Sequence, residues 1–374
     1  MFGRTDDPID LIAASDRFME RPGMRSRKSD LVSHLCAIEA ALSQDNPKAG
    51  AKVLTETGRQ LLSAAAAQIS RELRTRLTGV YEKLMASGMK GRAPAEKGIL
   101  TCLVAGADES LVSFFAGLFD VSIERDGFSL QRKAFATAGL AVLVRSTGSQ
   151  AALDALLKGT AHTNGDVALV SVRALAAAYS VSVFYDFESE EVRSSLRSAP
   201  PLEVIEAVTQ TANQHPTFLT RFHARRALQA LGVEPPLDHE EGAYQFKMTL
   251  EGYTGFSARL LVPSPADLDM VLWLSLDALN WDSDHLHSFY LSGKRNDQST
   301  QYPLDRGDSL AEEPGLSVGE LGLAPKVKFI CLYDFGDCNI FKYTCEKIIP
   351  KVHGNVQGSV QERKGRRPNQ YPSW

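Results

Sequence analysis

Up to about residue 232, apolar side chains recur at spacings of three and four, as in Leu111, Phe114, Phe115 and Leu118, and again in Ala152, Leu153, Leu156 and Leu157. That period lays an apolar stripe along a helix, so this whole part is predicted to be helical. Clusters of Gly, Pro, Asn and Ser divide it. Ser149-Gln-Ala-Ala-Leu, after a Thr-Gly break, and Asn164-Gly-Asp-Val read as helix starts, with Asp154, Asp166 and nearby Ser and Thr as first-turn or capping groups. Residues 51–89 are nearly unbroken helix formers, carrying four alanines at 64–67 and Arg71, Arg74 and Arg76. They are expected to form an atypical cap or a helical hairpin.

A weak repeat runs through the helical part. Ala136-Thr-Ala-Gly-Leu-Ala, Ser171-Val-Arg-Ala-Leu-Ala and Ala224-Arg-Arg-Ala-Leu-Gln align on Gly139, Ala174 and Ala227, separated by 35 and 53 residues. The first interval approaches the roughly 40–47-residue period of HEAT-type helix pairs. The second is stretched by Phe184-Tyr-Asp-Phe-Glu-Ser-Glu, read as an inter-repeat loop. The segment resembles a degenerate HEAT-like α-solenoid, and an irregular helical bundle is the other reading. A solenoid implies a concave surface for a protein partner and no chemistry. His223, Arg225 and Arg226 read as a solvated helix face or as contacts between repeats.

Residues 233–242, with Pro235 and Pro236, have the composition of a linker, and the prolines stop the preceding helix. Beyond them the pattern changes to alternation. Residues 244–250 and 258–262 read as strands. Ser264-Pro-Ala-Asp opens a helix running to about Asn280, with Leu268, Val271, Leu272 and Leu276 on its buried face. Residues 287–291, 327–335 and 340–349 read as further strands, the last two joined around Gly336-Asp337. The expected fold is therefore multidomain. An all-α HEAT-like solenoid or helical bundle (1–232) and a linker (233–242) precede an α+β domain (243–350) with a mostly antiparallel sheet and one packing helix. Residues 351–374 form a basic flexible tail.

Charge and cysteine usage narrow the class. The chain has 41 basic and 45 acidic side chains, a net −4, which argues against a general nucleic-acid coat. The tail carries Lys351, Arg363, Lys364, Arg366 and Arg367 against Glu362, and the domain before it is acidic, so tail and domain can attract each other. Arg363-Lys-Gly-Arg-Arg offers at most weak, salt-sensitive phosphate binding. The five cysteines form no Cys-x-x-Cys pair, so a zinc ribbon is not expected and a reduced cytoplasmic setting fits. Cys331 sits among Phe329, Ile330 and Leu332 and reads as a buried small apolar residue. Residues 1–10 carry Asp6, Asp7 and Asp10 and no apolar run, so no secretory signal is expected. The longest apolar stretch, at 175–185, is far short of the about 20 residues of a membrane span.

Three segments carry a family pattern: Arg259-Leu-Leu-Val-Pro, Trp281-Asp-Ser-Asp-His-Leu-His-Ser-Phe, and Leu332-Tyr-Asp-Phe-Gly-Asp closed by Glu346-Lys-Ile. In order and spacing residues 243–350 resemble the plasmid pRiA4b ORF-3-like domain. Its members travel on plasmids and as passenger genes of insertion elements, sometimes under a TnpR-family label without a resolvase motif. The resemblance implies a link to a mobile genetic element and names no reaction. Two departures stand out. The family has an acid where Ser288 stands, and an acid, a Trp and a His where this chain continues Cys338-Asn-Ile-Phe-Lys-Tyr.

The candidate binding residues are Asp282, Asp284, His285, His287, Tyr333, Asp334 and Asp337. His285 and His287 lie two apart and share a face on a strand. With the carboxylates they have the composition of a Zn²⁺ or Mn²⁺ site, or equally of a capped turn with ordinary hydrogen bonds. Asp334-Phe-Gly matches a kinase tripeptide, but the Gly-rich and His-Arg-Asp loops are missing. No catalytic residue and no cofactor is assigned. The leading expectation is a non-enzymatic interaction protein that takes a protein partner through its helical domain, with weak nucleic-acid contact through the tail and no membrane contact. The alternative is a metal-dependent hydrolase or nucleic-acid-processing accessory using the His/Asp group.

Overall fold

The computed structural model describes residues 28–43, 47–64, 69–89, 92–120, 129–180, 184–186, 191–193, 198–295, 297–302, 316–352 and 357–371. The acidic first ten residues and the alanines at 65–67 lie outside them. The chain divides into two compact units, Met1–Ser182 with Ser195–Val204, and Val183–Ser194 with Ile205–Trp374. Among the described residues no helix is long and apolar enough to cross a membrane.

The first unit is helical: α1 (Lys28–Leu42), α2 (Pro47–Ala64), α3 (Arg71–Ala86), α4 (Ala93–Ala105), α5 (Val112–Asp120), α6 (Ser129–Thr147), α7 (Gln150–Thr160) and α8 (Gly165–Tyr179). The expected starts at Ser149 and Asn164 hold: Ser149 Oγ accepts from Ala152 N at 3.3 Å, and Asn164 Oδ1 from Asp166 N at 2.9 Å. The 51–89 stretch holds parts of two helices, and Ser70 caps the second, accepting from Leu73 N at 3.3 Å. Helix α6 is buried nearly all round and packs against α4, α5, α7 and α8. Its Gly139 lies under the Phe115 ring, where an added Cβ would come within 2.4 Å of ring carbon. Arg132 on the same helix is buried and donates to Glu96 at 2.6 Å, and the Tyr81 hydroxyl donates to the same carboxylate oxygen at 3.1 Å.

The segment read as an inter-repeat loop holds a short hairpin, β1 (Phe184–Asp186) pairing antiparallel with β2 (Glu191–Arg193). Helices α9 (Leu202–Gln214) and α10 (Phe218–Ala230) follow. The long stretch of the second unit starts at Ile205, within α9, so Ala227, the third aligned repeat position, falls in a different unit from Gly139 and Ala174. Composition put the boundary at 232/233. The physical reason for the difference is Arg225, which is 1% exposed and not on a solvated face. It donates to the carbonyls of Ala212 (3.2 Å), Pro236 (2.8 Å) and Gly319 (2.9 Å) and pairs with Asp238 at 2.8 Å. Arg221 adds two bonds to the Gly322 carbonyl, at 3.0 and 2.8 Å. The proline-rich segment 233–242 is thereby held against α10.

The sheet has the order β6-β5-β7-β8-β3-β4-β9 and every pairing is antiparallel. Its strands are β3 (Ala243–Leu250), β4 (Tyr253–Pro263), β5 (His287–Tyr290), β6 (Gln301–Tyr302), β7 (Lys328–Tyr333), β8 (Asn339–Ile349) and β9 (Ser359–Gly365). Strands β3 and β4 turn on Glu251-Gly252, where Gly252 takes the left-handed φ of 73° that the turn requires. Helix α11 (Leu268–Leu279) covers one face, burying Val271, Leu272 and Leu276 against Phe246, Phe289, Phe329 and Tyr343. Ser275 and Tyr343 share a hydrogen bond of 2.9 Å inside this layer. On β7, Phe329, Cys331 and Tyr333 belong to that core. Ile330 and Leu332 form a smaller cluster with Tyr290 and Ile340, which is why β7 reads as unbroken apolar sequence.

Two expectations for this unit are corrected. The cap of α11 is Asp267, which accepts from Met270 N at 2.9 Å, and not Ser264. Ser264 is buried and its hydroxyl donates to the Asp238 carbonyl. Nor is the tail wholly flexible: residues 359–365 form β9 on the free edge of β4. Arg259 of β4 bridges Glu346 (2.7 Å) and Glu362, clamping β8, β4 and β9 together, while Arg363 pairs with Asp277 at 2.6 Å. We expect Arg225→Met to cost about 3–5 kcal/mol, since it leaves buried carbonyls and Asp238 unpaired. The check is a urea unfolding midpoint that falls with little change in m.

Candidate functional site

The α11–β5 connection and the β7–β8 hairpin tip meet at one end of the sheet. Helix α11 ends where Asn280 adopts the left-handed conformation, with φ 61°, which Asn tolerates better than most residues. Trp281 then folds back, donating its main-chain N–H to the Leu276 carbonyl at 3.0 Å and stacking edge-on against Phe341. The Tyr333 hydroxyl, at the end of β7, donates to the Asp282 carbonyl and fixes the connection from below. At the hairpin tip Asp334 also has a positive φ, of 57°. Its carboxylate accepts from Gly336 N (3.0 Å) and Asp337 N (3.3 Å), and its own N–H donates to the Leu286 carbonyl (3.0 Å), tying tip and connection together.

The structure gathers most of the expected residues. His285 Nε2 lies 3.3 Å from Asp284 and 3.7 Å from Asp334, and its ring packs edge-on against Tyr333 at 5.6 Å. Asp282 and Asp284 are exposed beside it, and Asp337 is exposed at the tip. His287 takes a different partner: its Nε2 is 2.9 Å from Asp269 of α11. The two histidines therefore do not share a ligand position. Among the described residues no three His, Cys, Asp or Glu side chains are placed to hold a metal ion.

Several residues at the site were not anticipated. After β9 the chain crosses the connection. Pro368 accepts from Trp281 Nε1 at 3.0 Å, Gln370 Oε1 accepts from Asp282 N at 2.6 Å, and the Tyr371 hydroxyl is 2.9 Å from His285 Nε2. Partial desolvation raises the Tyr371 phenol above its ordinary value, and Asp284, Asp282, Asp334 and Asp337 push it the same way. Burial likewise raises Tyr333, with Asp284 and Asp334 adding to it. Around the carboxylates three large apolar side chains face solvent: Leu286 at 75% exposed, Tyr371 at 52% and Phe335 at 42%. The Trp in the motif was the one local signal for this surface. Nothing local marks Gln370 or Tyr371, because their place depends on β9 pairing.

The two departures from the family pattern are divided between the two faces of the sheet. Ser288 is buried and accepts from Gln301 Nε2 at 3.1 Å, on the sheet face opposite His287. Cys338 packs against the small apolar cluster of Tyr290, Ile330, Leu332 and Ile340. Ser288 and Cys338 fall on the face away from α11, whereas Phe341 of the second departure lies in the α11-covered core and packs against Trp281 and Tyr333 beneath the site.

These features describe an α+β domain with an acidic loop that carries exposed apolar side chains. Residues 242–370, in the C-terminal third of the chain, match the family described as plasmid pRiA4b ORF-3-like protein. No curated protein matches. Among solved structures, a protein of unknown function, MM3350 from Methanosarcina mazei Go1, is 22% identical over 33% of this chain and 69% of that one, with a TM-score of 0.26.

The cysteines separate by environment. Burial pushes Cys102 and Cys345 up to about 12 and raises Cys331 strongly, whereas Cys36 is exposed and Cys338 partly exposed. Titration of the native protein with a thiol reagent at pH 8 should label Cys36 and Cys338 first. Cys102, Cys331 and Cys345 should react only on unfolding.

Proposed function

We propose that the chain is a non-enzymatic interaction scaffold, and that the acidic end of the α+β unit is its recognition surface for a partner protein. The observation that carries this reading is the exposure of Leu286, Phe335 and Tyr371 on the connection and hairpin tip that carry Asp282, Asp284, Asp334 and Asp337 and on the C-terminal segment that crosses them. Large apolar side chains rimmed by charge mark protein-binding patches more often than active sites. The site residues are also anchored by main-chain bonds to the sheet, which holds such a surface in one shape without a partner. The family match supports a link to mobile genetic elements. The helical character of the first unit is compatible with a HEAT-like stack that takes a protein partner. A reduced, cytoplasmic setting is part of the same reading.

The test is a native pull-down with the full chain as bait, followed by direct binding to the purified partner. Asp284→Asn with Leu286→Ser should lower capture of that partner at least tenfold while the melting temperature stays near wild type. Undiminished capture by the folded double variant would remove the surface from the proposal.

A further inference from the structure

The chain's own C-terminal segment lies across the proposed surface. Gly365, with φ 87°, turns the chain off β9 against the Gly255 carbonyl, an approach too close for any Cβ. Arg366 is then tied down twice: its N–H donates to the Gly255 carbonyl at 3.1 Å, and its carbonyl accepts from the Tyr253 hydroxyl at 2.9 Å. From there residues 367–371 run over Trp281, Asp282 and His285. The Gln370 side-chain amide pairs with the Asp282 main chain in both directions, as a neighbouring strand would, at 2.6 and 3.3 Å. The segment carries Arg366, Arg367 and Tyr371, and it lies beside Asp282 and His285 of the acidic loop.

This strap is held but not packed. Between it and the connection lies a cleft of about 430 Å³, lined by Leu279, Asn280, Trp281, Asp282 and residues 367–371. Tyr371 remains half exposed, the hydrogen bonds to Asp282 and His285 are exposed, and the one to Trp281 is partly buried. Bonds of that kind are individually weak and easily exchanged for equivalent ones.

We propose that residues 366–371 are an intramolecular stand-in for the partner. The acidic loop recognises an extended, basic segment ending in an aromatic residue, and the partner's segment of that chemistry binds by displacing the strap. This rests on the recognition surface proposed above and adds the partner's chemistry and a built-in competitor. The charge complementarity and the seating of the chain's own basic segment argue for this occupant over an acidic or purely apolar one.

The experiment uses the full chain, as wild type and as the Gln370→Ala/Tyr371→Ala variant, which loosens the strap and leaves β9 intact. The probe is a fluorescent peptide with the sequence of residues 366–374, followed by anisotropy. The variant should bind the peptide at least tenfold more tightly than wild type. Adding Asp282→Asn and Asp284→Asn should weaken that binding several-fold and flatten its salt dependence. A control peptide with both arginines replaced by glutamate should not bind. Equal affinity for wild type and variant, or no binding by a variant that melts like wild type, overturns the proposal. Partner capture separates the two readings. If the strap variant captures the purified partner no better than wild type, while Asp284→Asn/Leu286→Ser abolishes capture, the strap proposal falls and the surface stands. If neither set of substitutions changes capture, the surface itself falls.

Discussion

The buried guanidinium of Arg225 is the constraint on which the α+β unit rests. An arginine taken out of water is costly unless every donor is used, and this one meets three carbonyls and a carboxylate. The carbonyls belong to α9, to the proline-rich segment and to the turn Val318–Leu321, so one side chain joins three stretches far apart in sequence. That turn in turn bonds to the β4–α11 junction, with Gly319 N on the Ser264 carbonyl at 2.8 Å and Val318 N on the Ala266 carbonyl at 2.6 Å. The start of α11 is fixed from there, and with it the direction in which the helix delivers residues 280–286.

The opposite end of the unit is held by aromatic packing. Rings follow one another in contact from Phe246 through Phe329 to Tyr343 and Phe341, and from Phe341 to both Trp281 and Tyr333. His285 then packs on Tyr333, and Tyr371 on His285. The acidic surface is thus the outer end of a continuous core layer. Close-packed interiors resist small displacements, so the carboxylates sit on a stiff base although their side chains are solvated. The strap, by contrast, is attached through β9 and Arg259, at the sheet edge, and only lightly at the surface itself. A stiff surface with a loosely held cover is the arrangement that the proposed intramolecular competition needs.

Much of this was legible in local sequence. The helix starts at Ser149 and Asn164, the alternating strands β3 and β4, the end of α11 at Asn280 and the grouping of Asp282, Asp284, His285, Tyr333 and Asp334 all depend on interactions within a few residues or on one strand pairing. Side-chain period and capping chemistry act at that range, so the chain states them directly. The family pattern at residues 259–346 belongs to the same level, since its motifs are the loop and hairpin themselves.

Other features exist only because distant segments meet. Ser264 has every local property of a helix cap, yet its hydroxyl is taken by the Asp238 carbonyl and the cap passes to Asp267. Arg225 resembles a surface residue until the carbonyls of Ala212, Pro236 and Gly319 surround it. His285 and His287 have the spacing of paired ligands, but Asp269 lies beside one and Tyr371 beside the other. Residues 359–371 have the composition of a solvated tail, and they become a strand and a strap because β4 offers a free edge and Glu362 meets Arg259. Local pattern specifies which residues can cap, pair or carry charge; burial and partner choice follow from which segments the packed chain brings together.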